Sequence, residues 1–246
     1  MTDFASHTEA PVPEASLVVA GCDAITRAGV EPQRVDIGVA GQRIAWVSPA
    51  GAHPVPDVAR VLDARGLLAL PGLVNAHTHS AENCLRGAGE GLPLEVWLTR
   101  MFGTAGPFTP DDHYTTALAG AIEMLRSGTT AVLDHLWMTP PTVEAADAVL
   151  RAYRDVGIRA AVAPLVADTD STGEFAASCG HDLTGALFTD LAGAQPVDEI
   201  EGQLEELLRE WHGADGGRLQ VFAGPVGLQW CSDELLSALA ATAARH

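Results

Sequence analysis

The segment PGLVNAHTHS, Pro71 to Ser80, closes an apolar run with two histidines two residues apart. In an extended strand residues i and i+2 project to the same side, so His77 and His79 point together while Thr78 points the other way. Two imidazoles on one face can chelate a single divalent metal ion. Catalytic zinc takes about three protein ligands and keeps an open water position, so this pair is a part of such a site and binds weakly by itself. Taken alone, the pattern also suits two surface or hydrogen-bonded histidines, and the surrounding elements have to decide.

Other side chains fall within reach of the same chemistry. His135, in VLDHLW, can face the histidine pair and contact a substrate, or be an ordinary packed histidine. Its neighbour Asp134 reads equally well as a strand-end capping residue. Trp97, in LEVWL, is a second candidate substrate contact, although a tryptophan on an amphipathic segment often belongs to a core. Glu82 and Cys84 follow the histidines closely, but the direction of the intervening loop is open and neither is assigned to the metal. GAGEG, Gly87 to Gly91, is not GxGxxG and does not sit directly between a strand and a helix, so it gives no dinucleotide site. There is no GxSxG elbow.

The elements that must position these residues change character near residue 70. Before it, SLVVAGCDAIT, RVDIGVAGQRIAWVS and RVLDARGLLALPG alternate apolar runs with turn residues, with a turn at Gly41-Gln42, which predicts β-hairpins. After it, four β-type runs (LVNAHTH, TTAVLDHLW, RAAVAPLVAD and LQVFAGPVGL) alternate with capped helices. The first helix has Thr109 as N-cap, Pro110 at its first position, Asp111 and Asp112 at the positive end of the dipole, and Gly128 as its stop. Leu118, Ile122 and Leu125 predict its buried stripe. A second helix opens at Thr139-Pro140-Pro141 and ends near Gly157, with Val143, Leu150 and Tyr153 inward. A third spans about Val197 to His212, buries Ile200, Leu204, Leu207, Leu208 and Trp211, and stops at Gly213. Ser232 caps a fourth, which carries Leu235, Leu236 and Leu239.

This alternation implies a parallel sheet flanked by helices, with right-handed crossovers. The chain therefore reads as α/β: a flexible N-terminus over 1–15, a small β segment over 16–70, and four β/α units over 71–246. Four units are too few to close an eight-stranded barrel. In such barrels the active site lies at the C-terminal ends of the strands, where the two histidines fall.

Composition narrows the partners. With 246 residues, 47% of them hydrophobic and 19% charged, the chain has the makings of an ordinary folded core. Its 32 acidic residues against 14 basic ones give a net charge of −18, which repels phosphate backbones and anionic lipid and excludes nucleic acid and the membrane surface as partners. A neutral or cationic small molecule fits better. All 14 basic residues are arginine. Without lysine there is no Schiff base, no P-loop amine and no carbamylated-lysine metal bridge. No signal peptide or membrane span is legible, so the cytoplasm is the expected compartment. Cys22, Cys84, Cys179 and Cys231 form no CxxC pair and are expected to be reduced and mostly buried.

The stretch LLALPGLVNAHTHSAENCLRGAGEGLPLEVWL, followed by GAIEMLRSGTTAVLD, is similar to the opening of the amidohydrolase superfamily in its cytosine deaminase-like and chlorohydrolase-like branch. The resemblance implies a TIM-type (β/α)8 barrel beside a β-sandwich, here its N-terminal half. It also implies one divalent metal ion, zinc ahead of iron, that activates water against an amidine, amide or chloro-substituted ring carbon, with His77 and His79 as ligands. Binuclear members bridge their metals through a lysine on the fourth strand, and LQVFAGPVGL has none, which favours the mononuclear type. The family's further ligands and proton shuttle lie on strands five, six and eight, beyond ELLSALAATAARH; His246 is not assigned to the metal. Where nucleoside-type members carry an acid, an arginine and a histidine, this chain reads TAGPFT, AAVAPLV and GPVGLQW. That puts a smaller heteroaromatic or guanidine-like substrate at least level with an adenosine-like one.

Two functions follow as expectations. In the first, the chain is the N-terminal half of a mononuclear hydrolase acting on C–N or C–Cl bonds, completed by a complementary C-terminal-half chain or a homo-oligomer. In the second, it is a non-catalytic fragment or half-barrel assembly module.

Overall fold

A computed structural model describes residues 14–25, 27, 29–54, 60–93, 96, 97, 100, 101, 104, 108–138, 141–169, 178 and 194–246. The predicted flexible segment 1–15 and the helix start at Thr139-Pro140 fall largely outside them, as does Cys179. The chain divides into two compact units, Met1–Pro71 and Gly72–His246.

The first unit is a five-stranded sheet: β1 (Leu17–Ala24), β2 (Gln33–Ala40), β3 (Arg43–Pro49), β4 (Arg60–Asp63) and β5 (Leu68–Ala69). β1 and β2 pair antiparallel, as do β2 and β3 across the Gly41-Gln42 turn. The hairpin grammar fails for the last run, because β4 and β5 both pair parallel with β1. A β-turn joins only antiparallel neighbours, so strands that run parallel to β1 cannot be the second arm of a hairpin with it. A bulge between Val19 and Cys22 is pinned by buried Asp36, whose two carboxylate oxygens accept the amides of Gly21 and Gly51, each at 2.7 Å.

The second unit begins with β6 (Leu73–Thr78). It continues through α1 (Pro110–Arg126), β7 (Thr129–Leu136), α2 (Val143–Val156), β8 (Arg159–Val166), α3 (Val197–Trp211), β9 (Leu219–Val221), β10 (Gly224–Pro225) and α4 (Asp233–Arg245). β7 pairs parallel with β6 on one side and β8 on the other. The predicted fourth strand is broken into β9 and β10, both parallel to β8. At the break the backbones come close: a Cβ on Gly224 would lie 2.3 Å from the Pro164 carbonyl oxygen, so only glycine fits. Among the described residues β6 pairs only with β7.

The helices start where their caps predict, with one exception. Thr109 and Asp112 form a reciprocal capping box on α1. Ser232 Oγ accepts the Leu235 amide at the start of α4. For α2 the cap is Thr142, whose hydroxyl accepts the Ala145 amide at 3.2 Å, and not the Thr139-Pro140 step. Gly157 ends α2 in the left-handed region, at φ 84°.

The core lies between β7, β8, β9 and the inner faces of α2, α3 and α4, with Leu150, Tyr153, Ile200, Leu204, Leu219 and Leu235 buried in it. The predicted stripe of α1 needs correction. Ile122 and Leu125 are exposed, and the buried face is Thr116, Ala117, Gly120 and Ala121. At Gly120 there is no room for a larger residue: a Cβ there would fall 2.1 Å from the Asn83 side chain, which packs against this face. Among the described cysteines, Cys22 and Cys231 are buried and Cys84 is exposed. No helix among the described residues is long and apolar enough to cross a membrane.

Candidate metal centre

His77 and His79 leave the C-terminal end of β6 together. Their ring centroids are 4.9 Å apart, and the His135 ring, from β7, stands 4.5 Å from His77 and 6.2 Å from His79. The parallel pairing of β6 with β7 brings the three rings to the same end of the sheet. The i, i+2 geometry therefore holds for the pair, and His135 joins it.

The rings are held differently. His79 Nδ1 lies 2.7 Å from the carbonyl oxygen of His135. A carbonyl can only accept, so Nδ1 carries the proton and Nε2 presents a bare lone pair. That is the usual arrangement for a metal-binding histidine, one ring nitrogen anchored and the other free. His77 is exposed, and its main-chain amide donates to Asn75 Oδ1 at 3.2 Å. His135 is half-buried; burial lowers its pKa, and the neighbouring His77 and His79 lower it further.

Two acids stand beside the rings. Glu82 closes a 3₁₀ turn over Ser80–Glu82 that opens directly after His79 and folds the carboxylate back toward the histidines. Its Oε1 accepts from Trp137 Nε1 at 3.1 Å. Burial pushes its pKa above the ordinary carboxylate range against the lowering pull of His79. Sequence reasoning left Glu82 unassigned because the direction of the loop was open, and the turn supplies that direction. Asp134 is fully buried and, in keeping with a strand-end capping role, accepts the Ser80 amide just beyond β6; burial raises its pKa, opposed by hydrogen bonds from Ser80 and Tyr153.

Trp97 is half-buried and packs on a small cluster of Ala81, Met101 and Trp137. With Glu82, Leu85, Gly89 and Met101 it lines an open cavity of about 380 Å³. Glu82 lines that cavity and also interacts electrostatically with His79 and His77. His246 is engaged elsewhere, with Nε2 2.9 Å from Glu205.

Whether these residues suit a metal ion can be judged from the donors. Two imidazoles face one side, and the free nitrogen of one is fixed by a hydrogen bond on the other, which suits zinc. Among the described residues, however, no group of three or more His, Cys, Asp or Glu is arranged to hold an ion. The centre as described is the His77–His79 pair with the His135 ring beside it.

The amidohydrolase family's sequence profile matches residues 68–246. The chain belongs to the amidohydrolase family. Among curated relatives, it is 31% identical over 208 residues to a 5-methylthioadenosine/S-adenosylhomocysteine deaminase of Desulforudis audaxviator, covering 84% of this chain and 41% of the relative. It is 30% identical over 232 residues to a 5'-deoxyadenosine deaminase of Methanothermobacter thermautotrophicus, covering 94% and 47%. Among solved structures, the atrazine chlorohydrolase of Arthrobacter aurescens, in complex with zinc, superposes with a TM-score of 0.72 at 26% identity, over 93% of this chain and 51% of that one. A guanine deaminase of E. coli, at 20% identity and a TM-score of 0.71, shares the fold. This amidohydrolase chain thus spans about half the length of the curated relatives it matches, and its second unit is a partial (β/α)8 barrel.

Proposed function

We propose that this amidohydrolase chain contributes the two-histidine part of a hydrolytic centre for one divalent metal ion, zinc ahead of iron. The centre would act on a C–N or C–Cl bond of a small nitrogen-containing or heteroaromatic compound. The observation that carries this reading is the pairing of His77 and His79 on one face, with His79 Nδ1 fixed and its Nε2 free. A bound divalent ion would supply Lewis-acid activation of water at neutral pH. Glu82, with a raised pKa beside the rings, is suited to hold or pass a proton there. His135 and Trp97 are the proposed substrate contacts, one at the rings and one at the cavity. The net charge of −18 favours neutral or cationic substrates over anionic ones.

The remaining ligand and further acid–base groups beyond Glu82 are proposed to come from the barrel strands that the longer relatives possess, whether on a complementary chain or on a further part of the same protein. The exposed apolar side chains of β6 favour that completion: Leu73 is 59% and Val74 68% exposed on a strand that, among the described residues, pairs on one side only. The same exposure supports the second reading, a half-barrel assembly module without catalysis.

Zinc binding separates the two. The 246-residue chain alone should bind zinc weakly, and His77→Ala with His79→Ala should abolish that binding. Adding a polypeptide carrying strands five to eight should give about one zinc per complex and hydrolysis of an adenine-type nucleoside or a substituted triazine. One tightly held zinc per chain that survives loss of both histidines would overturn the assignment, while a complex that forms without zinc would favour the assembly module.

A further inference from the structure

Behind His79 lies a buried network that the reading above does not use. Asp134 and Tyr153 are each 0% exposed. Asp134 Oδ1 accepts the Ser80 main-chain amide at 3.0 Å, and its Oδ2 accepts the Tyr153 hydroxyl at 2.8 Å. The residue after Asp134, His135, offers the carbonyl that takes His79 Nδ1–H. Two consecutive residues of β7 therefore hold both ends of one unit: Asp134 fixes the peptide that leaves His79, and His135 fixes its ring. Tyr153, reaching across from α2, fixes the carboxylate that does the first of these.

A buried carboxylate is costly to desolvate and persists where hydrogen bonds offset that cost. Core packing alone gives no reason for an acid here, since an apolar side chain of similar volume would fill the space. What the acid supplies is a directed acceptor for the one main-chain amide that follows the histidine. With that peptide plane set and Nδ1 bonded, rotation of the His79 ring is restricted about both its backbone and its side-chain torsions, and Nε2 points at a fixed place.

We infer that Asp134 and Tyr153 form a buried strut from α2 through β7 that sets the direction and tautomer of His79, making both of them positioning residues for the metal centre. This rests on the reading of His79 as a metal ligand. The strut acts through His79 and touches neither metal nor substrate.

The test uses the full 246-residue chain and zinc alone, followed by long-range ¹H–¹⁵N spectra of the imidazoles. In the unaltered chain His79 should show a single Nδ1–H tautomer, and zinc should shift its Nε2. Tyr153→Phe keeps the ring and removes only the hydroxyl; Asp134→Asn keeps the shape and removes the charge. Each should raise the zinc concentration for half-shift by about 10–100-fold and mix the His79 tautomers. In a His79→Ala background Tyr153→Phe should leave the remaining zinc affinity unchanged, which a purely structural role would not predict. If Asp134→Asn fails to fold, Tyr153→Phe decides alone. A tautomer and zinc midpoint within about twofold of the parent's, even with a lowered melting temperature, would overturn the strut. Absence of any zinc shift at His79 in the unaltered chain would overturn the ligand reading and the strut with it, a signature seen before any variant is made.

Discussion

Helices α1 and α2 follow neighbouring strands of the same sheet, yet they bury themselves by different means. α2 sits over the middle of the sheet and sinks Val149, Leu150 and Tyr153 completely. α1 stands at the β6 edge and turns small residues inward, leaving Ile122 45% and Leu125 36% exposed. The middle of the unit satisfies itself; the edge carries the candidate chemistry and leaves apolar surface open. Stability and function are thus placed side by side, with β7 belonging to both, since it packs into the core and holds His79 through Asp134 and His135.

The largest effect should come from the middle. Leu150→Ala removes a fully buried side chain from the main core and should cost about 2–5 kcal/mol in urea unfolding, with a lower midpoint. At the edge, Thr109→Ala breaks the capping box of α1 and should cost about 1 kcal/mol by the same measurement. Ile122→Ala should fall within about 0.5 kcal/mol of the parent, because its side chain contributes little to the core of this chain. A large loss for Ile122→Ala together with a small one for Leu150→Ala would invert the contrast. Adding strands five to eight sharpens it: if the edge of α1 is covered on completion of the barrel, Ile122→Ala should then weaken association while Leu150→Ala lowers only the stability of the chain itself.

Much of this was legible in the sequence where a local signal has one structural meaning. Thr109-Pro110 with two aspartates can hardly be anything but a helix start, and the stripe of Ile200, Leu204, Leu207, Leu208 and Trp211 identifies a buried face by period alone. His77 and His79 could be paired because alternation in a strand is geometric. The failures lie where distance or direction decides. The predicted inward face of α1 went to its largest apolar residues, while the buried face holds Ala117, Gly120 and Ala121, with the Asn83 side chain packed against Gly120. The last run before residue 70 looked like another hairpin because periodicity does not say which way a strand returns. Glu82 could not be placed without the turn that folds it back, and the role of Asp134 depends on Tyr153, nineteen residues away and on another element.

The one-sided pairing of β6 has a consequence for hydrogen exchange. Amides of β6 that point toward β7 are held in the ladder and should exchange slowly with deuterium, while those that point outward should exchange almost as fast as in an unstructured peptide. The strand bearing the histidines thereby contains its own gauge of barrel closure: protection that appears on its outward amides, and on few others, would mark the moment a neighbouring strand arrives.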